Sequence, residues 1–207
     1  MQAFRNWAAS KRAILAIVAS ITFALQAPQT ARAELLAHWT FDDITGSIAP
    51  DSSGKGNDGE LIAGPVAYPA GGQIGDALIL DGREEYVSVP GLLSEATAFT
   101  VAGWVVPSGS LGSLLKTDQN GLRFWVDTRT GDKNRYALQL IADSSGVYVK
   151  SEWLHYQDGA LHSNRWNHVA ATWNGETVRL YANGNLQEET AFAQEKLKSM
   201  DSMGIGQ

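Results

Sequence analysis

WNHVAATWNGETVRLYANGNL, residues 166–186, carries the pattern on which the fold turns. It alternates apolar and polar residues, breaks at Asn174-Gly175, alternates again and breaks at Asn183-Gly184. Asn-Gly between two alternating runs marks a tight hairpin, because a type I′ turn needs φ > 0 at both central residues. With Asn174-Gly175 as a two-residue loop, Trp173 faces Glu176, Ala171 faces Val178, Val169 faces Leu180 and Asn167 faces Ala182. On the opposite side Thr172 meets Thr177, Ala170 meets Arg179 and His168 meets Tyr181. One face is then mostly apolar and the other mixed, as in a strand pair with one side on a core.

The same period runs through the rest of the chain. Residues 34–41 read as a first strand with Ala37, Trp39 and Phe41 on one face, and residues 42–59 as a polar loop rich in Asp, Ser and Gly. Residues 77–80 form a short strand closed by Asp81-Gly82, with residues 86–89 as its partner and Pro90 as its end. Residues 99–106 alternate around Trp104 and stop at Pro107; further strands are expected at 114–115, 122–126, 136–141 and 147–153. A weak helical period at 191–198 is mostly polar. By phase, Trp39, Trp104 and Trp173 belong to the core. Short strands at about 8–12-residue spacing with Gly-rich turns indicate an all-β sandwich or barrel.

The amino terminus has a different character. Arg5, Lys11 and Arg12 precede an apolar run at 13–25, and Ala31-Arg32-Ala33 supplies a small-x-small cleavage pattern. That is the form of a signal peptide, residues 1–33, with cleavage after Ala33 and export to the periplasm or the exterior; the apolar run is short for a membrane span. Removing it takes four basic residues and no acidic one, so a net charge of −6 becomes −10. Such a balance excludes nucleic acid and anionic membrane surfaces as ligands, which need clustered Lys and Arg, and favours a neutral or basic partner. There is no cysteine, so an exported domain of this kind depends on its core, and on a metal ion if one is bound.

Five segments in order, AHWTFDD, DSSGKGNDGEL, IGDALILDGREEYVSVP, FTVAGWVVP and RWNHVAATWNGETVRLYANGNL, resemble the laminin-G-like, concanavalin A-like domains of bacterial exported proteins over residues 34–207. The resemblance implies an antiparallel two-sheet jelly-roll sandwich that binds glycans or extracellular proteins. It also implies a structural Ca²⁺ whose ligand, at the end of the first strand, falls on Asp43. It further implies a closing strand after Gln207, pairing with residues 35–41, so that the chain stops just before its last strand.

The residues themselves offer three kinds of chemistry. Asp42, Asp43, Asp51, Asn57 and Asp58 supply the hard oxygen donors Ca²⁺ prefers, although their spacing is not that of an EF-hand loop; Asp and Asn bonding their own backbone is the alternative. Catalysis lacks a motif. Retaining glycosidases of this architecture place two carboxylates on one strand face with Glu-x-Asp-x-x-Glu, and no Glu here has Asp two residues later. Glu84-Glu85 would point to opposite faces of a strand, and the only His–Tyr pairs a lyase could use are His155 with Tyr156 and His168 with Tyr181. Recognition has more support: Trp125, Tyr148, Trp153 and Tyr156 are aromatic, and Trp125 alternates out of phase with Leu122, Phe124 and Val126. Exposed rings beside polar groups are what a glycan stacks on. The expectation is a non-catalytic recognition module for a glycan or an extracellular protein; a glycan-cleaving hydrolase or lyase and a structural piece of a larger surface protein are the alternatives.

Overall fold

The structure is a computed structural model that describes residues 33–206 except 70, 108–111, 118–121, 127–137, 144–147, 155–159 and 163; residues 66, 112, 126, 138–143 and 148–154 are described by their backbone. Among the described residues the regular structure is all β, and it belongs to the unit Leu35–Gln207. In chain order the strands are β1 Ile48–Ala49, β2 Gly59–Ile62, β3 Val66–Tyr68, β4 Ala77–Ile79, β5 Tyr86–Pro90, β6 Phe99–Val105 and β7 Gly112–Thr117. They continue with β8 Leu122–Val126, β9 Leu138–Asp143, β10 Tyr148–Leu154, β11 Asn167–Trp173, β12 Thr177–Ala182, β13 Asn185–Ala191 and β14 Ser202–Ile205.

These strands build two antiparallel sheets and a small two-stranded one. The larger sheet has eight strands in the order β1-β2-β5-β14-β7-β8-β9-β10, the smaller has four in the order β13-β12-β11-β6, and β3 pairs with β4. The larger two pack face to face as a jelly-roll sandwich. Val87, Val89, Leu115, Leu122 and Phe124 come from the larger sheet, and Val169, Ala171, Trp173, Val178, Leu180 and Ala182 from the smaller; all are buried in one cluster. Burying each such large side chain contributes about 1.5–3 kcal/mol. Trp173 packs between Phe99 and Phe192, with ring centroids 6.1 and 5.9 Å away, and its indole donates to the Phe192 carbonyl at 2.9 Å.

The hairpin that fixes this core is shifted by two residues from its expected pairing. Trp173 lies opposite Val178, Ala171 opposite Leu180 and Val169 opposite Ala182. The turn residues are Gly175-Glu176, with φ +89° at Gly175 and no positive φ at Asn174 or Glu176. Glycine at the first central position is the type II′ requirement. Asn174 instead accepts the Glu176 and Thr177 amides at 3.0 and 2.7 Å through its side chain. A shift of two keeps every side chain on its expected face. The second break behaves as anticipated, since Asn183 and Gly184 have φ of +50° and +80° and join β12 to β13.

Several expected elements differ. Residues 34–40 form no strand, because loop 51–57 takes their polar groups: His38 and Asp51, Leu36 and Asn57, and Trp39 and Asn57 are hydrogen-bonded across it. Trp39 and Phe41 still pack on the core. Strand β4 pairs with β3 rather than with β5, and Asp81-Gly82 is not a hairpin turn. Asp81 accepts the amides of Arg83, Glu84 and Glu85, and the Glu85 carboxylate accepts the Asp81 amide. No helix forms at 191–198; residue 191 ends β13, and Phe192 and Leu197 enter the core. Residues 202–205, expected to precede a closing strand, are themselves an interior strand between β5 and β7. Trp104 is not in the core: it is 43% exposed, on the outer face of the smaller sheet. Gly103 and Val105 take the inward phase there, with Leu114 filling the space left over Gly103.

Candidate functional site

Strand β8 presents the aromatic site. Leu122 and Phe124 are fully buried, so alternation turns Arg123 and Trp125 to the outer face of the larger sheet, where both are half-buried. The Arg123 guanidinium lies 5.8 Å from the centre of the Trp125 ring, a cation–π contact. Ser113 lies opposite Trp125 across the β7–β8 pair. Arg123 belongs to a row that crosses the sheet: Ile48, Glu60, Ser88, Gly204, Lys116, Arg123, Gln139 and Trp153 are successive partners.

This row reaches one of the expected residues, Trp153, on the edge strand of the sheet, and Tyr148 lies on the same strand. Trp153, on the edge strand β10, is opposite Gln139, which is opposite Arg123. Tyr148 is opposite Asp143, two positions along β9 from Ile141, which shares the phase of Gln139. A bulge between Tyr148 and Lys150 produces this register. One extra residue on the bulged strand restores Tyr148 to the phase of Trp153, although 148 and 153 differ in parity. Tyr156 and His155 lie outside the described residues. Arg123 and Lys116 are the members that sequence reading missed; the signal for Arg123 was its i−2 phase to Trp125, and that for Lys116 was only its cross-strand pairing with Arg123, which is invisible without the register.

The acidic loop is a hydrogen-bonded turn. Asp51 accepts the His38 and Ser53 amides on one oxygen, and the Ser53 hydroxyl and Asn57 amide on the other, at 2.7–3.1 Å. Asp58 accepts the Asp51 amide at 2.8 Å, and Asp42 accepts the Asp76 amide at 2.7 Å. Desolvation alone would raise the Asp51 carboxyl, but these four donors outweigh it and hold the group well below the usual carboxylate range. Asp43 sits exposed in the turn, its carbonyl accepting the Thr45 hydroxyl. Among the described residues no three His, Asp or Glu side chains are grouped to hold a metal ion. The carboxylates of Asp42, Asp51 and Asp58 thus serve backbone amides in this turn.

The two histidine and glutamate pairs weighed for catalysis resolve differently. His168 faces Trp104 rather than Tyr181, edge to ring at 5.2 Å, and its amide donates to the Asn183 side chain. Glu84 and Glu85 lie in the exposed loop before β5, not in a strand.

A family model described as the concanavalin A-like lectin/glucanases superfamily matches residues 81–207. Comparison with curated protein sequences finds no match. Among solved structures, domain 4 of AbnA, a GH43 extracellular arabinanase from Geobacillus stearothermophilus solved in complex with arabinotriose, is similar with a TM-score of 0.55 and 20% identity, over 84% of this chain and 92% of that one. The binding domain of botulinum neurotoxin DC, in complex with rat synaptotagmin II, gives 0.56 and 13%, over 83% of this chain and 43% of that one. The binding domain of Paraclostridial Mosquitocidal Protein 1 gives 0.54 and 16%, over 84% and 48%. At these identities the likeness is one of fold.

Proposed function

This chain belongs to the concanavalin A-like lectin/glucanase superfamily, and from that premise we propose that it is a non-catalytic module binding an uncharged glycan at the β8–β10 end of its larger sheet. The observation that carries this reading is the Arg123–Trp125 pair on the outer face. The indole offers an apolar face to a sugar ring, and the guanidinium beside it offers hydrogen-bond donors to the hydroxyls. Trp153 occupies the same cross-strand row as Arg123, on the edge strand β10. Arg123 and Lys116 narrow the expected ligand, because adjacent cations oppose a basic glycan while the net charge of −6 opposes a polyanion. A neutral chain suits both. Domain 4 of the arabinanase, with its arabinotriose, and the toxin binding domain, with its protein receptor, support a binding role for the fold. Export belongs to the same proposal, and amino-terminal sequencing of secreted protein should begin at Glu34.

The test is isothermal titration with arabinohexaose, xylohexaose and cellohexaose, followed by assay of any binder for new reducing ends. Trp125→Ala should weaken binding at least about tenfold, the equivalent of 1.4 kcal/mol, with an unchanged far-UV circular dichroism spectrum. Turnover of a bound oligosaccharide, or binding indifferent to both Trp125→Ala and Trp153→Ala, would overturn this reading.

A further inference from the structure

We propose a second glycan-binding platform on the opposite side of the sandwich, on the outer face of the smaller sheet, centred on Trp104 and Tyr181 and taking an uncharged oligosaccharide. Three cross-strand rows define it. Trp104 pairs with His168; Ala102, Ala170, Tyr181 and Leu186 form the next row; Thr100, Thr172, Arg179 and Glu189 form the third.

The rows have the composition of a sugar-stacking surface. Trp104 is 43% exposed, and His168 fixes its ring by an edge contact at 68°. Leu186 is 48% exposed at the far end of the middle row. On the intervening strand β11 stand His168, against Trp104, and Ala170, which with Ala102 forms a shallow floor in the middle row that lets a flat ligand approach. Strands stand about 4.8 Å apart, so the two-strand step from Trp104 to Tyr181 covers about 10 Å, room for roughly two sugar rings.

The polar groups are placed and free. The indole N–H groups of Trp39 and Trp173 are bonded within the chain. Among the described residues, that of Trp104, the ring nitrogens of His168, the Tyr181 hydroxyl and the hydroxyls of Thr100 and Thr172 meet no hydrogen-bond partner. Those donors and acceptors surround an apolar floor, the arrangement that holds hydroxyl groups around a stacked ring. Charge selects against ionic ligands, because Arg179 is neutralised by its ion pair with Glu189. A purely apolar partner would leave these polar groups buried and unpaired, which disfavours it. With platforms on both faces, one molecule would bridge two glycan chains or bind a single network with avidity.

Titration of the full chain with arabinohexaose, xylohexaose and cellohexaose decides it, with sedimentation velocity in parallel. The expected result is two sites per chain for at least one probe. Trp104→Ala should remove one and Trp125→Ala the other, each by about tenfold or more in Kd. Tyr181→Ala should weaken the same site as Trp104→Ala, and Trp104→Phe, which keeps a ring, should weaken it less. If Trp104→Ala disturbs the fold, shown by a lower Tm, the other two variants carry the comparison. Unchanged stoichiometry and affinity in Trp104→Ala and Tyr181→Ala overturns the platform while leaving the Trp125 site standing. No uptake of any probe overturns both, and a dimer that Trp104→Ala converts to monomer assigns this face to self-association instead.

Discussion

Asn167 is a fully buried amide with every hydrogen-bonding position used. Its Nδ2 donates to the carbonyls of His162 and Arg165 at 2.8 Å, and its Oδ1 accepts from the His162 amide at 3.0 Å and from Asn183 Nδ2 at 3.2 Å. One side chain thus ties the segment before β11 to the turn after β12. Asn167→Ala removes a fully buried amide from these four hydrogen bonds, and should destabilise by about 1–3 kcal/mol in urea unfolding. Asp51 acts similarly at the surface. Its folded carboxyl titrates below its unfolded value of about 3.9, so its contribution is complete above about pH 4 and is lost as the pH falls toward the lower folded value. Asp81 is lowered too, chiefly by the amides of Arg83 and Glu85. Thermal melts should therefore show a Tm that falls below about pH 4. Asp51→Asn should lower the Tm at neutral pH and flatten that acid limb; an unaltered limb would count against the hydrogen-bonded turn.

Among the elements, β14 has the most to lose. It is four residues long, yet it pairs with β5 on one side and β7 on the other, and Met203 and Gly204 are buried. Removing residues 202–207 would leave two facing strand edges with unpaired amides and carbonyls inside the larger sheet. Such a shortened chain should melt without cooperativity and bind a hydrophobic dye. A sharp transition at the original Tm would show that β5 and β7 close on each other instead. At the end of the same sheet, β10 is an edge strand whose bulge sets the phase of Tyr148 and Trp153. Bulges at sheet edges re-aim side chains and block pairing with other chains.

For the molecule as a whole, charge and binding should be separable. A net charge of −6 sets a weak repulsive field for polyanions, whereas stacking and hydroxyl hydrogen bonds to an uncharged ligand carry little Coulomb energy. Affinity for a neutral hexasaccharide should therefore change by less than about twofold between about 50 mM and 500 mM salt, over which the Debye length contracts severalfold. A steep salt dependence, measured by titration calorimetry, would point to an ionic ligand group and to Lys116 and Arg123 as its contacts.

The sequence alone determined the all-β sandwich, the strand phases around Trp173 and the turn at Asn183-Gly184, because alternation and turn chemistry are local. It also placed Trp125 outside, since its buried neighbours Leu122 and Phe124 fix the phase within one strand. The tertiary structure decided what depends on distant partners. A polar loop could trade strand pairing at 34–40 for side-chain hydrogen bonds, and a four-residue strand gained its place only from two neighbours far away in sequence. Trp104 alternates as a core residue would, and only the packing of Gly103 and Val105 against the opposite sheet turns it to solvent. The grouping of Trp153 with Arg123 rests on the β8–β9 and β9–β10 registers. Register is a property of the sheet, set by side chains that meet across it rather than by any one strand.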